Sequence, residues 1–178
     1  MAHGPASGDR PRVYHDDGHT TVATFGPYVL WWLRTHMTYA ILDAADAACA
    51  DIVRTYGTIG YIALFEPDAT VMMPSEFRAP SAQFVARYSD RFFGAAMVYE
   101  PSGFKATVVR SVITAVHLAS RARHPLRVTS DLAAAVDWLE GAAPVHVRQG
   151  SEALLAELLG FREQVRGRLA TAGADPFV

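Results

Sequence analysis

Between residues 28 and 34 the chain reads YVLWWLR. As a strand, this segment sends Val29, Trp31 and Leu33 to one face and Leu30, Trp32 and Arg34 to the other. Each face carries a Trp, so neither is the solvated side of a one-sided sheet. Residues 59–65 and 92–99 repeat this two-sided apolar pattern, and each run is stopped within two residues by a proline, Pro67 and Pro101. A shorter strand is predicted over 20–25, joined to 28–35 through a Gly26-Pro27 turn as a hairpin.

The apolar period then changes from two to about 3.6. Thr38 is placed to cap a helix running to about Tyr56 and ended by Gly57, with Ile41, Ala45, Ala48, Cys49, Ile52 and Tyr56 as its inner stripe. A second helix starts between Ser75 and Ser81 and runs to about Asp90. A third spans 103–121 with Phe104, Val108, Val112, Ala115, Val116 and Ala119 inward. A short strand over 126–129 follows. Ser130 or Asp131 then caps a helix to Glu140 with Leu132, Val136 and Leu139 on one side. Residues 142–150 read as a linker or an edge strand. A last helix, about 151–170, carries Leu154, Leu155, Leu158, Val165 and Leu169, with Arg162, Glu163, Arg166 and Arg168 assigned to its wet side.

The expected order is β-β-α-β-α-β-α-β-α, an α/β fold with a mixed, mostly parallel sheet and an extra C-terminal helix. The division is a disordered tail over 1–12, an α/β domain over 13–141 and an extension over 142–178. The hairpin has no crossover helix of its own, so its second face lacks an obvious cover. Either the last helix or a second copy of the chain would bury it. Trp31, Trp32, Leu154, Leu158 and Val165 are therefore expected at an interface between copies, with the last helix taking part.

Composition narrows the class. The 178 residues are 51% hydrophobic and 19% charged, with a formal charge of −2, which argues against a dedicated nucleic-acid binder. Arg110, Thr114, His117 and Arg121 share a helical stripe, but aromatics are not interleaved with that charge. The single cysteine, Cys49, leaves no intrachain disulfide and no Cys-rich zinc site, and reads as a small core residue. No apolar run approaches the ~20 residues of a membrane span, and the first residues lack the apolar middle of a signal peptide. The expectation is a soluble, cytoplasmic protein without membrane association.

The stretch 103-GFKATVVRSVITAVHLASRARHPLRVTSDLAAAVDWLEG-141 resembles the closing helix–strand–helix of STAS-like domains, the fold of the anti-sigma-factor antagonists. The resemblance lies in a short strand followed by a capped helix of the type S-x-x-x-A-x-x-x-L, here Ser130, Ala134 or Ala135, and Trp138-Leu139. The element order over residues 13–141 agrees with it. It implies a protein-interaction module. Members that act as phosphorylation switches carry a serine in an Asp-Ser-Ser-Gly-like loop before the second helix. The corresponding loop, 66-EPDATVMMPSEF-77, has no such motif, and only Thr70 and Ser75 offer hydroxyls. Phosphate on Ser75 would meet a favourable helix N-terminus; its plainer role is a cap or turn residue.

Candidate chemistry is sparse. Phe65-Glu66-Pro67-Asp68 and Tyr99-Glu100-Pro101-Ser102 end two strands in the same way. Neighbouring strands would bring Glu66 and Glu100 together at the carboxyl edge, where α/β sheets bind ligands. The pair would then share a proton or hold a cation or a ligand amine, with Asp68 and Ser102 nearby; the simpler reading is two solvated strand ends. The sequence 15-HDDGH-19 holds potential metal ligands but reads as a turn. No Gly-rich phosphate loop, GxSxG elbow or HExxH spacing occurs. No catalytic residue, metal site or cofactor is assigned. The expected function is a non-enzymatic, self-associating interaction module with an unidentified protein partner. The alternatives are a small-molecule site at Glu66/Glu100 and a structural subunit of a larger assembly.

Overall fold

The two-sided apolar strands join one mixed sheet. The computed structural model describes residues 11–67, 69, 75–101, 107 and 123–172. Six strands lie in chain order: β1 (Arg12–Asp16), β2 (Thr20–Phe25), β3 (Tyr28–Leu33), β4 (Ile59–Phe65), β5 (Phe92–Tyr99) and β6 (Leu126–Thr129). The β1–β2 and β2–β3 pairs are antiparallel, and the three pairs from β3 to β6 are parallel. The described helices are α1 (Ala40–Tyr56), α2 (Ser75–Tyr88), α3 (Leu132–Ala142) and α4 (Ser151–Ala172), with a 3₁₀ turn at Val145–Val147. The helix expected over 103–121, with its basic stripe, lies outside the described residues.

Register explains the doubled tryptophans. Trp31 pairs with Ala63, which pairs with Met97, while Trp32 pairs with Leu64, which pairs with Val98. Adjacent rows point to opposite faces. On the Trp31 face, α1 lays Ile41, Ala45, Ala48, Cys49 and Ile52 against Val22, Val29, Ile59 and Ala63, and α2 adds Phe84 and Tyr88. On the Trp32 face, α3 contributes Leu132, Ala135, Val136 and Leu139, and α4 contributes Leu154, Leu158, Phe161 and Val165.

Strand order decides which helix covers which face. From β3 to β5 the chain steps along the sheet without reversing, and crossovers of one hand then put α1 and α2 on the same side. The described helices of those crossovers leave the other side uncovered. β6 ends the sheet, so α3 is free to fold back onto the open face, and α4 extends that cover over the hairpin. Burying the four apolar side chains of α4 is worth ~1.5–3 kcal/mol each.

This bears on the residues expected at an interface between copies. Trp32, Leu154, Leu158 and Val165 are each at most 1% exposed within the single chain. Trp31 is partly buried, packed edge-on against Tyr61 and tilted against Phe84. The face that called for a sister molecule is covered by the chain's own last helix.

Other expectations also change. Residues 12–16 form a strand where a tail and a turn were expected. Their side chains are mostly polar, and the strand exists because its backbone pairs with β2 and because Arg12 Nη1 and Tyr14 Oη reach Asp51 Oδ2 of α1, at 2.7 and 2.6 Å. β3 stops at Leu33 instead of Thr35. Thr38 does not cap α1: the N-cap is Tyr39, with no side-chain bond, and the Thr38 hydroxyl donates to Asp17 Oδ2 at 3.0 Å. Of the two readings of residues 142–150, the linker holds and the edge strand does not: the segment carries a 3₁₀ turn at Val145–Val147. Gly57 does end α1, its N–H bonding Val53 O at 2.9 Å.

Two glycines are required by close approach. Gly26, in the β2–β3 turn with φ 55°, faces the Gln149 side chain, and a Cβ there would collide with that amide. Gly60 lies under the Tyr28 and Phe93 rings, which pack edge-to-face at 5.7 Å and leave no room for a methyl group.

Candidate functional site

Phe65 pairs with Tyr99 in the β4–β5 ladder, so Glu66 and Glu100 are neighbours just past the strand ends, as their matching sequence contexts suggest. The pair does not stand open. α4 directs Arg162 between the two carboxylates. Its Nη1 donates to Glu100 Oε1 at 2.9 Å and its Nη2 to Glu100 Oε2 at 3.0 Å, a two-pronged contact. Nη2 also lies 3.5 Å from Glu66 Oε1. One turn later, Arg166 Nη2 donates to the same Glu66 oxygen at 2.8 Å, and Trp32 Nε1 donates to it at 3.0 Å.

The helix period produces this arrangement. Leu158, Phe161 and Val165 face the sheet, and Arg162 and Arg166, four apart, flank them along one edge. Arg162 was assigned to the wet side of the helix, yet it is only 6% exposed. The missed signal was an arginine pair at i, i+4 beside a leucine stripe. That pair could have been matched to two glutamates left without partners at strand ends. The Trp32 ring completes the setting, with the guanidinium carbons of Arg34, Arg162 and Arg166 at 4.9, 5.8 and 5.8 Å from its centroid.

Electrostatics follow from this geometry. Burial alone would favour a neutral Arg162, but the hydrogen bonds and charge of Glu100, followed by those of Glu66, hold its pKa above the ordinary arginine value. Two carboxylates face two guanidiniums, so each glutamate has an arginine partner within the chain. Among the described residues there is no group of three or more His, Cys, Asp or Glu side chains arranged to hold a metal ion. Asp68, Ser102 and Thr70 lie outside the described residues. Ser75 is exposed at the start of α2, and its hydroxyl is 3.2 Å from Glu76 Oε2.

Next to the acidic pair, an open groove of about 380 Å³ runs between the start of α3 and α4. It is lined by Glu100, Arg162, Leu155, Leu159 and residues 130–133. Asp131 caps α3 there, its Oδ1 accepting from Ala133 N at 2.9 Å and Ala134 N at 3.4 Å.

The 15-HDDGH-19 stretch is structural. Asp17 Oδ1 accepts from the Thr20 and His19 backbone N–H groups at 2.7 and 2.9 Å, and its Oδ2 accepts from Thr38. Burial raises the Asp17 pKa, but these bonds outweigh it and hold the carboxyl well below the usual range. Asp16 accepts from Arg34 Nη2 at 2.6 Å, while Arg34 Nε and Nη1 bond Gly18 O and Thr21 Oγ1. At the opposite end of the sheet, buried Glu140 of α3 accepts from the Tyr28 hydroxyl and from the Gln149 and Gly150 N–H groups, the last two at 3.3 and 2.9 Å. That anchor fixes where α4 begins.

No described helix is long and apolar enough to cross a membrane. No protein-family model, curated protein or solved structure matches the chain.

Proposed function

We propose that this chain is a non-enzymatic, STAS-like module that works by binding a protein partner. The observation that carries this reading is the neutralisation of the strand-end acidic pair by the chain's own Arg162 and Arg166. The most suggestive reactive pair in the sequence thereby acts as a fastening for α4. A second feature supports it. Ligand crevices in open α/β sheets form where the strand order reverses, and the described strands advance in order without reversing. The antiparallel hairpin leading into parallel strands, and the Asp131-capped helix after a short strand, are in keeping with the element order behind the STAS-like resemblance. The chain buries both faces of its sheet alone, so this reading needs no second copy.

Affinity capture from the native host, paired with a thermal-shift screen of metabolites and metals, tests it. A protein retained in stoichiometric amount, with no metabolite raising the melting temperature, is the expected result. Turnover of any screened metabolite would overturn the reading.

A further inference from the structure

The groove between α3 and α4 differs from the rest of the described surface. Its floor and walls are apolar: Leu132, Ala133, Leu155 and Leu159. Leu159 is 45% exposed, one of a few large apolar side chains left open to solvent. About 380 Å³ lies at the small end of the roughly 300–1,000 Å³ range of ligand pockets, and suits one or two side chains better than a cofactor.

Charge at the rim selects the occupant. Among the described residues, three charged side chains line the groove: Glu100, Asp131 and Arg162. The cation among them, Arg162, is sealed in, its side chain only 7% exposed and both Nη groups turned to Glu100. Glu100 has both oxygens bonded to that cation, whereas Asp131 is exposed to solvent. Asp131 gives Oδ1 to the helix cap, and among the described residues its Oδ2 accepts no hydrogen bond. What a visitor meets is therefore a greasy slot with an acidic lip.

We propose that this groove is a docking site for a short peptide segment of a partner protein, one that presents an apolar side chain next to a lysine or arginine. The apolar side chain lies over Leu155 and Leu159, and the cation faces Asp131. Bare anions are repelled by the same lip, and a purely apolar visitor leaves it unpaired. The inference rests on the interaction-module reading and names the partner's chemistry.

The test is methyl NMR on the full chain labelled at leucine, titrated with N-acetyl-Leu-Arg-Leu amide and with its Leu-Glu-Leu counterpart. The arginine peptide is expected to shift the Leu132, Leu155 and Leu159 methyls, and the glutamate peptide to leave them in place. Asp131→Asn keeps a good cap while removing the charge, and should weaken the arginine peptide about two- to fivefold. Leu159→Ser, at a half-exposed position, should weaken it about tenfold. Equal shifts from both peptides, shifts confined to other leucines, or Leu159 shifts that appear on concentrating the free protein would each overturn the proposal, the last by naming a second copy as the occupant. If a partner is captured but these methyls stay silent, the groove assignment fails while the interaction-module reading stands. If a screened metabolite is turned over, the underlying reading fails.

Discussion

Arg162 clasps Glu100 through both of its Nη groups, at 2.9 and 3.0 Å, across 62 positions of chain. The contact ties the last helix to the end of β5, and Arg166 repeats it one turn on at β4 through Glu66. It converts a pair of like charges into a four-group network over the face of Trp32.

Replacing Arg162 by Met should destabilise the chain by about 3 kcal/mol, because it leaves the partly buried Glu100 carboxylate without a cation while Glu66 keeps Arg166. Arg162→Lys should recover only part of the loss, since an ammonium group cannot make the planar two-pronged contact. Urea denaturation reads both. A loss below about 1 kcal/mol for the Met variant would mean the network is solvated and weak.

Trp32 should behave as a tryptophan sealed by its own chain. It is 0% exposed, under a sheet face closed by α3 and α4. In a variant with Trp31 and Trp138 changed to Phe, emission should stay blue-shifted and resist iodide. That protection should not change on dilution to a regime where light scattering shows a monomer. Quenching that rises on dilution would show that a second copy is needed after all.

Stability should fall on the acid side through Asp17. Its folded pKa lies below the unfolded value of 3.8, so its contribution is complete above that value and is lost as pH drops towards the folded pKa. Asp17→Asn should lower stability at pH 7 and flatten the dependence below about pH 4. Melting temperatures from pH 2.5 to 7 for the two proteins, if parallel throughout, would refute this.

On the alkaline side the tyrosines set the limit. Tyr14 is pushed up to about 12 by burial first and then by its bond to Asp51, and Tyr88 to about 12 by burial and then Asp46. Tyr28 goes higher still, through burial and Glu140. A phenol with a raised folded pKa contributes fully below its unfolded value of 10.0, and the contribution is lost as pH climbs through the folded value. Unfolding free energy should therefore decline above about pH 10. Tyr14→Phe should make the decline shallower, as measured by denaturation at pH 9, 10 and 11.

Glu140 is the anchor of the α3–α4 connection. Glu140→Gln keeps the shape but weakens acceptance from Tyr28 and from two backbone N–H groups, at a cost of about 1–3 kcal/mol. Hydrogen exchange at Gln149 and Gly150 should speed up by more than the global change. Uniform acceleration would leave Glu140 with no local role.

Local pattern alone predicted much of this molecule. Period-two runs apolar on both faces specified β3, β4 and β5 and required that both faces be covered. The 3.6-residue stripe named the five buried residues of α1, and Asp131 was one of two named caps for α3. These features depend on neighbours a few positions apart, which the sequence displays directly. Other features come from partners far along the chain. β1 is a polar segment made a strand by pairing with β2 and by Asp51. Arg162 reads as a surface residue until β4 and β5 bring Glu66 and Glu100 to it. The cover for the Trp32 face was left open between the last helix and a second copy, because periodicity shows that a helix has an apolar face and not which apolar face it meets. Strand order made that choice: α1 and α2, on like-handed crossovers, gather on one side of an advancing sheet, and among the described residues the helices after the last strand close the other.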